Sequence, residues 1–268
     1  MDGRPIKESD EIIDVPASAG VIREARGLME LPRLLLRFPR LARQPRGSRE
    51  PVLLLPGYGA GDGSTALLKA YLRLLGYRAR GWGLGRNRGG VTDLLPRVLK
   101  RLASFHRRSN HQRVALIGWS LGGYLARELA RERPDLIRQV ITLGTPVIGG
   151  PKYTIVAEFY RKRGLDIEAM AAEVEWRNNA ARLETPVVAI YSRADAVVAW
   201  QACIDRQAPN VRHIEVRTTH FGFGFSPEVY EIIARALAIN PDGQPVDHDA
   251  LAKHRRGMRL GRRQKAKV

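Results

Sequence analysis

Ser120 stands in the stretch Ile117-Gly118-Trp119-Ser120-Leu121-Gly122-Gly123, which reads Gly-x-Ser-x-Gly. A serine hydroxyl is a poor nucleophile until a base takes its proton, and it must project clear of its own backbone to reach a substrate. Gly118 and Gly122 remove side chains that would clash across so sharp a turn. The apolar run Val114, Ala115, Leu116, Ile117 precedes the motif, and a helical pattern (Tyr124, Leu125, Leu129, Ala130) follows it. The spacing predicts strand, tight turn and helix, with Ser120 at the apex. The Leu121 N–H then lies at a helix start, facing the same space as the hydroxyl, where it can stabilise a developing oxyanion. A bare Gly-x-Ser-x-Gly also occurs in ordinary glycine turns; the strand–turn–helix setting gives it weight.

A second donor is expected from the loop Pro56-Gly57-Tyr58-Gly59-Ala60-Gly61-Asp62-Gly63-Ser64, which follows the apolar strand Pro51 to Leu55. Its glycines allow close backbone approach, and the Tyr58 N–H is the candidate. Phosphate binding is the competing reading, but the loop has neither Gly-Lys-Ser/Thr nor Gly-x-Gly-x-x-Gly. For the base, His220 combines a strand end with the glycine loop Thr219-His220-Phe221-Gly222-Phe223-Gly224. His106 and His111 flank a helix end, His213 enters a strand, and His248 and His254 lie in the tail. For the acid, Asp195 directly follows a strand in Tyr191-Ser192-Arg193-Ala194-Asp195; Asp205 and Asp166 are rivals that do not. Neither His-Glu-x-x-His nor clustered carboxylates occur, so no metal site is expected, and no cofactor motif is found. The lone Cys203 excludes an internal disulfide and a cysteine-based zinc site, and reads as a packing residue.

The elements that must position these groups alternate. Strands are expected at Pro51–Leu55, Tyr77–Leu84, Val114–Ile117, Gln139–Leu143, Pro186–Tyr191 and His213–Val216. Ser64 opens a helix through Leu67 to Leu75, Thr92 or Asp93 one through Leu94 to Phe105, and Ser226 or Pro227 one through Val229 to Leu237. The alternation lapses between Val147 and Leu183, where two helical patterns fit a cap over the site. Strands alternating with helices imply a mainly parallel sheet covered on both faces, an α/β fold. Active groups in such sheets lie beyond the carboxyl ends of the strands, where Ser120, Asp195 and His220 all fall.

The chain has 268 residues, enough for one large domain with a sizeable core, and a net charge of +18. The organisation read from it is a basic amphipathic extension over 1–50, a catalytic domain over 51–240 with the cap inserted at about 147–185, and a basic, disordered tail over 241–268. In the extension, Leu31, Leu34, Leu35, Phe38 and Leu41 form an apolar set beside Arg33, Arg37, Arg40 and Arg43. Such a face packs on the domain's own core or rests on an anionic membrane; the first is expected. Basic ends also suggest nucleic acid, but no nucleic-acid motif or aromatic platform accompanies them. No signal-peptide core and no run of about 18 apolar residues is present, so a cytoplasmic location is expected, with peripheral membrane contact as the alternative.

Taken together, Leu55-Pro56-Gly57-Tyr58, Gly118-Trp119-Ser120-Leu121-Gly122-Gly123, Tyr191-Ser192-Arg193-Ala194-Asp195 and Thr219-His220-Phe221-Gly222 resemble the motifs of the alpha/beta-hydrolase superfamily, in its bacterial esterase/lipase-like branch. The resemblance runs from about residue 51 to 238, and the order Ser, Asp, His is the family's. It departs at Pro56-Gly57, where many relatives carry His-Gly, and in lacking evident antiparallel first strands. It implies a serine hydrolase acting on small-molecule carboxylic esters, lipid esters among them, through an acyl-Ser120 intermediate. An acyltransferase with the same triad, and a catalytically silent binding fold, are the alternatives.

Overall fold

The computed structural model describes Ile13, Val15, Pro16 and residues 21–239. The disorder expected over 241–268, and most of the stretch 1–17, fall outside the described residues.

Among the described residues six strands form one sheet: β1 (Pro51–Leu55), β2 (Arg78–Gly81), β3 (Val114–Trp119), β4 (Ile137–Leu143), β5 (Val187–Tyr191) and β6 (Val211–Glu215). Every neighbouring pair is parallel, in the order β2-β1-β3-β4-β5-β6. The helices, in chain order, are α1 (Val21–Glu24), α2 (Glu30–Leu41), α3 (Ala66–Leu74), α4 (Val91–Arg108), α5 (Leu121–Glu132), α6 (Val156–Lys162), α7 (Ile167–Ala180) and α8 (Pro227–Leu237). A short 3-10 turn, Ala25–Met29, joins α1 to α2.

Side chains alternate across each strand, so a sheet buried on both faces needs near-continuous apolar strands. β1 is Pro-Val-Leu-Leu-Leu, buried throughout. Val52 and Leu54 pack with Leu34, Leu41, Leu68, Leu72, Val229 and Ile233 on the α2, α3 and α8 side. Leu53 and Leu55 pack with Leu95, Val98, Leu102, Leu125 and Leu129 on the α4 and α5 side. Each such side chain contributes roughly 1.5–3 kcal/mol of burial.

Several boundaries differ from expectation for local reasons. β2 stops at Gly81 because Gly83 and Gly85 turn the chain with φ of 68° and 79°, and the Gly83 N–H donates to Asp62 at 3.1 Å. α4 starts at Val91 after a left-handed Gly90, so neither Thr92 nor Asp93 caps it. Ser64 donates to the Gly61 carbonyl at 2.8 Å, closing its own loop instead of capping α3.

The larger correction is in the extension. Leu34 and Leu41 are buried, but Leu35, Leu36 and Phe38 are 74%, 81% and 44% exposed. The face that turns inward is Glu24, Gly27, Glu30, Leu34 and Leu41, spaced three, three, four and seven residues apart, so two acids replace apolar groups on it. α2 lies on α8, where Arg40 bonds Glu231 at 3.0 Å and the Tyr71 hydroxyl donates to the Leu41 carbonyl at 3.2 Å. An open apolar groove of about 320 Å³ remains between α2 and α3, lined by Leu34, Leu35, Phe38, Leu67 and Leu74. No helix among the described residues is long and apolar enough to cross a membrane.

Candidate active site

The strand order reverses direction at β1: the chain steps out to β2, then returns past β1 to β3. Loops leaving the carboxyl ends of β1 and β3 therefore diverge and leave a crevice. The Pro56–Gly59 loop and Ser120 occupy that crevice.

Ser120 has φ 53° and ψ −122°, a conformation that a non-glycine residue holds only when its surroundings impose it. Its N–H donates to the Leu143 carbonyl at 2.8 Å, and its carbonyl accepts from the Gly123 N–H and the Thr145 hydroxyl. The flanking glycines are steric necessities. A Cβ at Gly118 would fall on the Gly122 carbonyl and the Gly123 backbone, and one at Gly122 on the Leu55 carbonyl. Ser120 remains partly exposed at the apex.

Asp195 and His220 come from the loops after β5 and β6, which are neighbours in the sheet. His220 Nδ1 and Asp195 Oδ2 are 2.7 Å apart, in a buried pair with side-chain exposures of 6% and 1%. The other carboxylate oxygen, Oδ1, accepts the N–H groups of Val197 and Val198 at 2.8 Å each. With one oxygen committed to the backbone, the other is free to hold the imidazole. Trp119 and Phe223 wall the ring at centroid distances of 6.2 and 6.1 Å. Gly144, the residue after Leu143, lies against the pair: a Cβ there would be 2.9 Å from Asp195 Oδ2 and 3.1 Å from His220 Nδ1. Ser120 bonds to Leu143, so all three residues gather at one end of the sheet.

The Gly57 backbone passes directly over the serine; a Cβ on it would meet Ser120 Cβ at 3.3 Å. Among the described residues, neither the Tyr58 N–H nor the Leu121 N–H meets an acceptor in the chain. Leu121 opens α5, whose first N–H groups lack helical partners by construction. Asn87, fully buried, stiffens the opposite wall: its side chain donates to the Pro56 carbonyl at 2.9 Å, and its carbonyl accepts the Gly59 N–H at 2.7 Å.

A model of the alpha/beta hydrolase family matches residues 52–264 of the sequence. The chain belongs to the alpha/beta hydrolase family. Solved structures similar to it include a mature lipase from Bacillus licheniformis, 15% identical over 73% of this chain and 94% of that one, with a TM-score of 0.56. A lipase-esterase related protein from Clostridium acetobutylicum is 16% identical, over 72% and 96% of the two chains, with a TM-score of 0.53. At such identity these likenesses speak to the fold.

In this hydrolase the stretch between β4 and β5 carries α6 and α7. Tyr58 packs edge-on against Tyr160 and Phe159 of α6, with centroids 5.3 and 6.4 Å away. Arg163 lies 4.3 Å over the Phe159 ring. Beside Tyr58 opens a cavity of about 510 Å³, lined by Gly59, Arg86, Asn87, Arg88 and Arg163. Among the described residues none of these three arginines pairs with a carboxylate.

The rival residues are engaged elsewhere. Asp205 forms a buried ion pair with Arg127 and accepts the Gln207 and Ala208 N–H groups at 2.9 Å. His213 accepts the Asp205 N–H at 3.0 Å through Nε2, and burial lowers its pKa. Asp166 caps α7 by accepting the Ala169 N–H. Burial pushes the Cys203 thiol well above its ordinary value, with the nearby Asp195 adding to the effect, so it is an inert packing residue. Among the described residues no group of histidines, cysteines or carboxylates could hold a metal ion. Sequence reasoning missed Glu24, which reaches the loops of Asp195 and His220 from the extension. Its signal was faint: acids at 24 and 30 on one helical face with Gly27.

Proposed function

We propose that this protein is a serine hydrolase that cleaves carboxylic esters through an acyl-Ser120 intermediate. The observation that carries the reading is the buried 2.7 Å contact between His220 and Asp195, at the same end of the sheet as a serine on a strained elbow. With Nδ1–H donated to Asp195, Nε2 is left as the acceptor for the Ser120 proton. Ser120 Oγ attacks the ester carbonyl, and the oxyanion is met by the N–H groups of Tyr58 and Leu121. His220 then gives its proton to the leaving alcohol, and water, deprotonated by the same imidazole, releases the acid. Residues 51–240 make up the catalytic domain on this reading. The segment 147–185 acts as its cap and shapes the pocket that chooses the acyl group.

A fluorophosphonate probe should label the wild-type chain on Ser120, and Ser120→Ala should abolish both labelling and hydrolysis across a chain-length series of acyl esters. The expected loss is at least about 10⁴-fold. Near-normal turnover in Ser120→Ala would end the triad reading. Acyl release that rises with added alcohol, giving the exchanged ester, would make the enzyme an acyltransferase instead.

One further observation favours an interfacial substrate. Leu35, Phe38, Leu67 and Leu74 are exposed together along one groove, and α2, which lines it, also carries arginines; this suits peripheral docking on anionic lipid. Flotation with anionic vesicles, weakened by salt and by Leu35→Asp, is the expected result. No flotation in low salt would return the reading to small esters in water.

A further inference from the structure

Glu24 is a carboxylate in the wrong place for a structural accident. It ends α1, before the first strand, and is 1% exposed. Oε1 accepts the N–H of Ala196 at 2.9 Å and the N–H of His220 at 3.2 Å, while Oε2 accepts the N–H of Phe221 at 2.9 Å. One side chain therefore holds three backbone donors from two loops, those that carry Asp195 and His220. Among the described residues it has no cationic partner. A buried carboxylate is costly unless its lone pairs are used, and here backbone N–H groups use them. The approach is close throughout: a Cβ on Gly27 would lie 2.7 Å from the Gly222 N and from Thr219 Oγ1.

We infer that Glu24 is a positioning residue that sets His220 against Asp195, an inference that rests on the triad reading above. The two loops are already tied at their bases. The Ser192 hydroxyl donates to the Thr218 carbonyl at 2.5 Å, and the Val216 N–H donates to the Tyr191 carbonyl at 2.9 Å. Among the described residues, those bonds leave the loop tips joined by the Asp195–His220 side-chain contact alone, with nothing tying their backbones. Glu24 supplies that tie by joining the residue after Asp195 to the backbone of His220 itself. The segment that does so precedes residue 52, where the family match begins. The N-terminal extension is therefore part of the catalytic apparatus, through the loops and not through the substrate. A displacement of about 1 Å in a reacting group costs on the order of 10²-fold in rate, which sets the scale of the effect.

The test uses the full chain as wild type, Glu24→Gln, Glu24→Ala and Leu102→Ala. Glutamine keeps the shape but turns one acceptor into a donor aimed at an N–H; alanine removes all three acceptors. Leu102→Ala opens a cavity in the core on the α4 side of the sheet, in a cluster that does not include the extension. Glu24→Ala should lower kcat about 10²-fold with KM changed less than about threefold, and Glu24→Gln should fall between it and wild type. Hydrogen exchange should quicken at the amides of Ala196, His220 and Phe221 in both Glu24 variants, while β1 and β3 keep their protection. Leu102→Ala should lower Tm and leave kcat per folded molecule at the wild-type value. Normal kcat in Glu24→Ala, a loss that merely follows the unfolded fraction, or unchanged exchange at the three amides overturns the inference and leaves the triad standing. A wild-type chain that neither hydrolyses esters nor takes the fluorophosphonate removes the triad reading, and the positioning role with it.

Discussion

Asp195→Asn should silence the enzyme while leaving it folded, and the hydrogen bonds around Asp195 say why. Oδ1 accepts two backbone N–H groups at 2.8 Å, and Oδ2 faces His220 Nδ1 at 2.7 Å. An asparagine has one oxygen for these two tasks. If the oxygen turned to His220, the NH₂ group would face two N–H donors and leave both unpaired, at about 1–3 kcal/mol each. The oxygen therefore stays with Val197 and Val198, and the NH₂ points at the imidazole. Nδ1 must then accept, the ring proton moves to Nε2, and Nε2 can no longer take the Ser120 proton. A tautomer reversal of this kind lowers turnover about 10⁴-fold in serine-hydrolase triads. At about 1.36 kcal/mol per decade, that is roughly 5.4 kcal/mol of transition-state stabilisation. All three polar contacts persist, the one to His220 with its direction reversed, so Tm should stay within a few degrees of wild type. The assay is kcat/KM on an activated ester, with thermal melting alongside and ¹⁵N chemical shifts of the His220 ring to read the tautomer. Turnover within about tenfold of wild type in a folded variant would refute the argument, as would an Nδ1–H tautomer that persists.

Asp205→Asn should do the opposite, since it breaks the buried pair with Arg127: turnover per folded molecule is retained, while stability falls by about 3–5 kcal/mol. Burial alone would raise the Asp205 carboxyl, but Arg127 and the backbone N–H groups of Ala208 and Gln207 outweigh it and leave the pKa lowered. A folded value below the unfolded one means that the stabilisation is complete above the unfolded pKa, about 3.9, and is lost as pH falls through the folded value. Urea midpoints of wild type and variant should therefore differ most near neutrality and converge below about pH 4. The unpaired arginines of the cavity beside Tyr58 predict a preference for esters with a negative tail: a dicarboxylic half-ester should show a KM about tenfold below that of its uncharged analogue at low salt. Arg86→Ala with Arg88→Ala should erase the difference without changing kcat/KM for the uncharged ester.

Much of the fold was legible because its signals are local. The apolar runs at 51–55, 114–117 and 187–191 are too short for helices and sit between turn residues, and each is a buried strand of the sheet. Gly118 and Gly122 marked the elbow because steric exclusion across one turn is a matter of neighbouring residues. The candidate acid and base were legible as strand-end residues before flexible loops. Their order in the chain also paired them, while the 2.7 Å contact itself depends on β5 and β6 being adjacent in the sheet, which no local signal states. The extension misled for a related reason. An apolar stripe states that a helix has a greasy side, and says nothing about which side the rest of the chain leaves room for.

What the sequence determined by itself is the alternation of strand and helix, the serine on its turn, and the family whose motifs occur in order. These follow from periodicity, backbone sterics and short-range spacing, which act within about ten residues. Only the tertiary structure decided that Asp205 belongs to Arg127, that β5 and β6 lie side by side and so bring Asp195 within 2.7 Å of His220, and that Glu24 spans 172 and 196 residues to bond Ala196 and His220. A hydrogen bond is satisfied by whichever donor the fold brings within about 3 Å, and a chain that closes such distances has no local record of them.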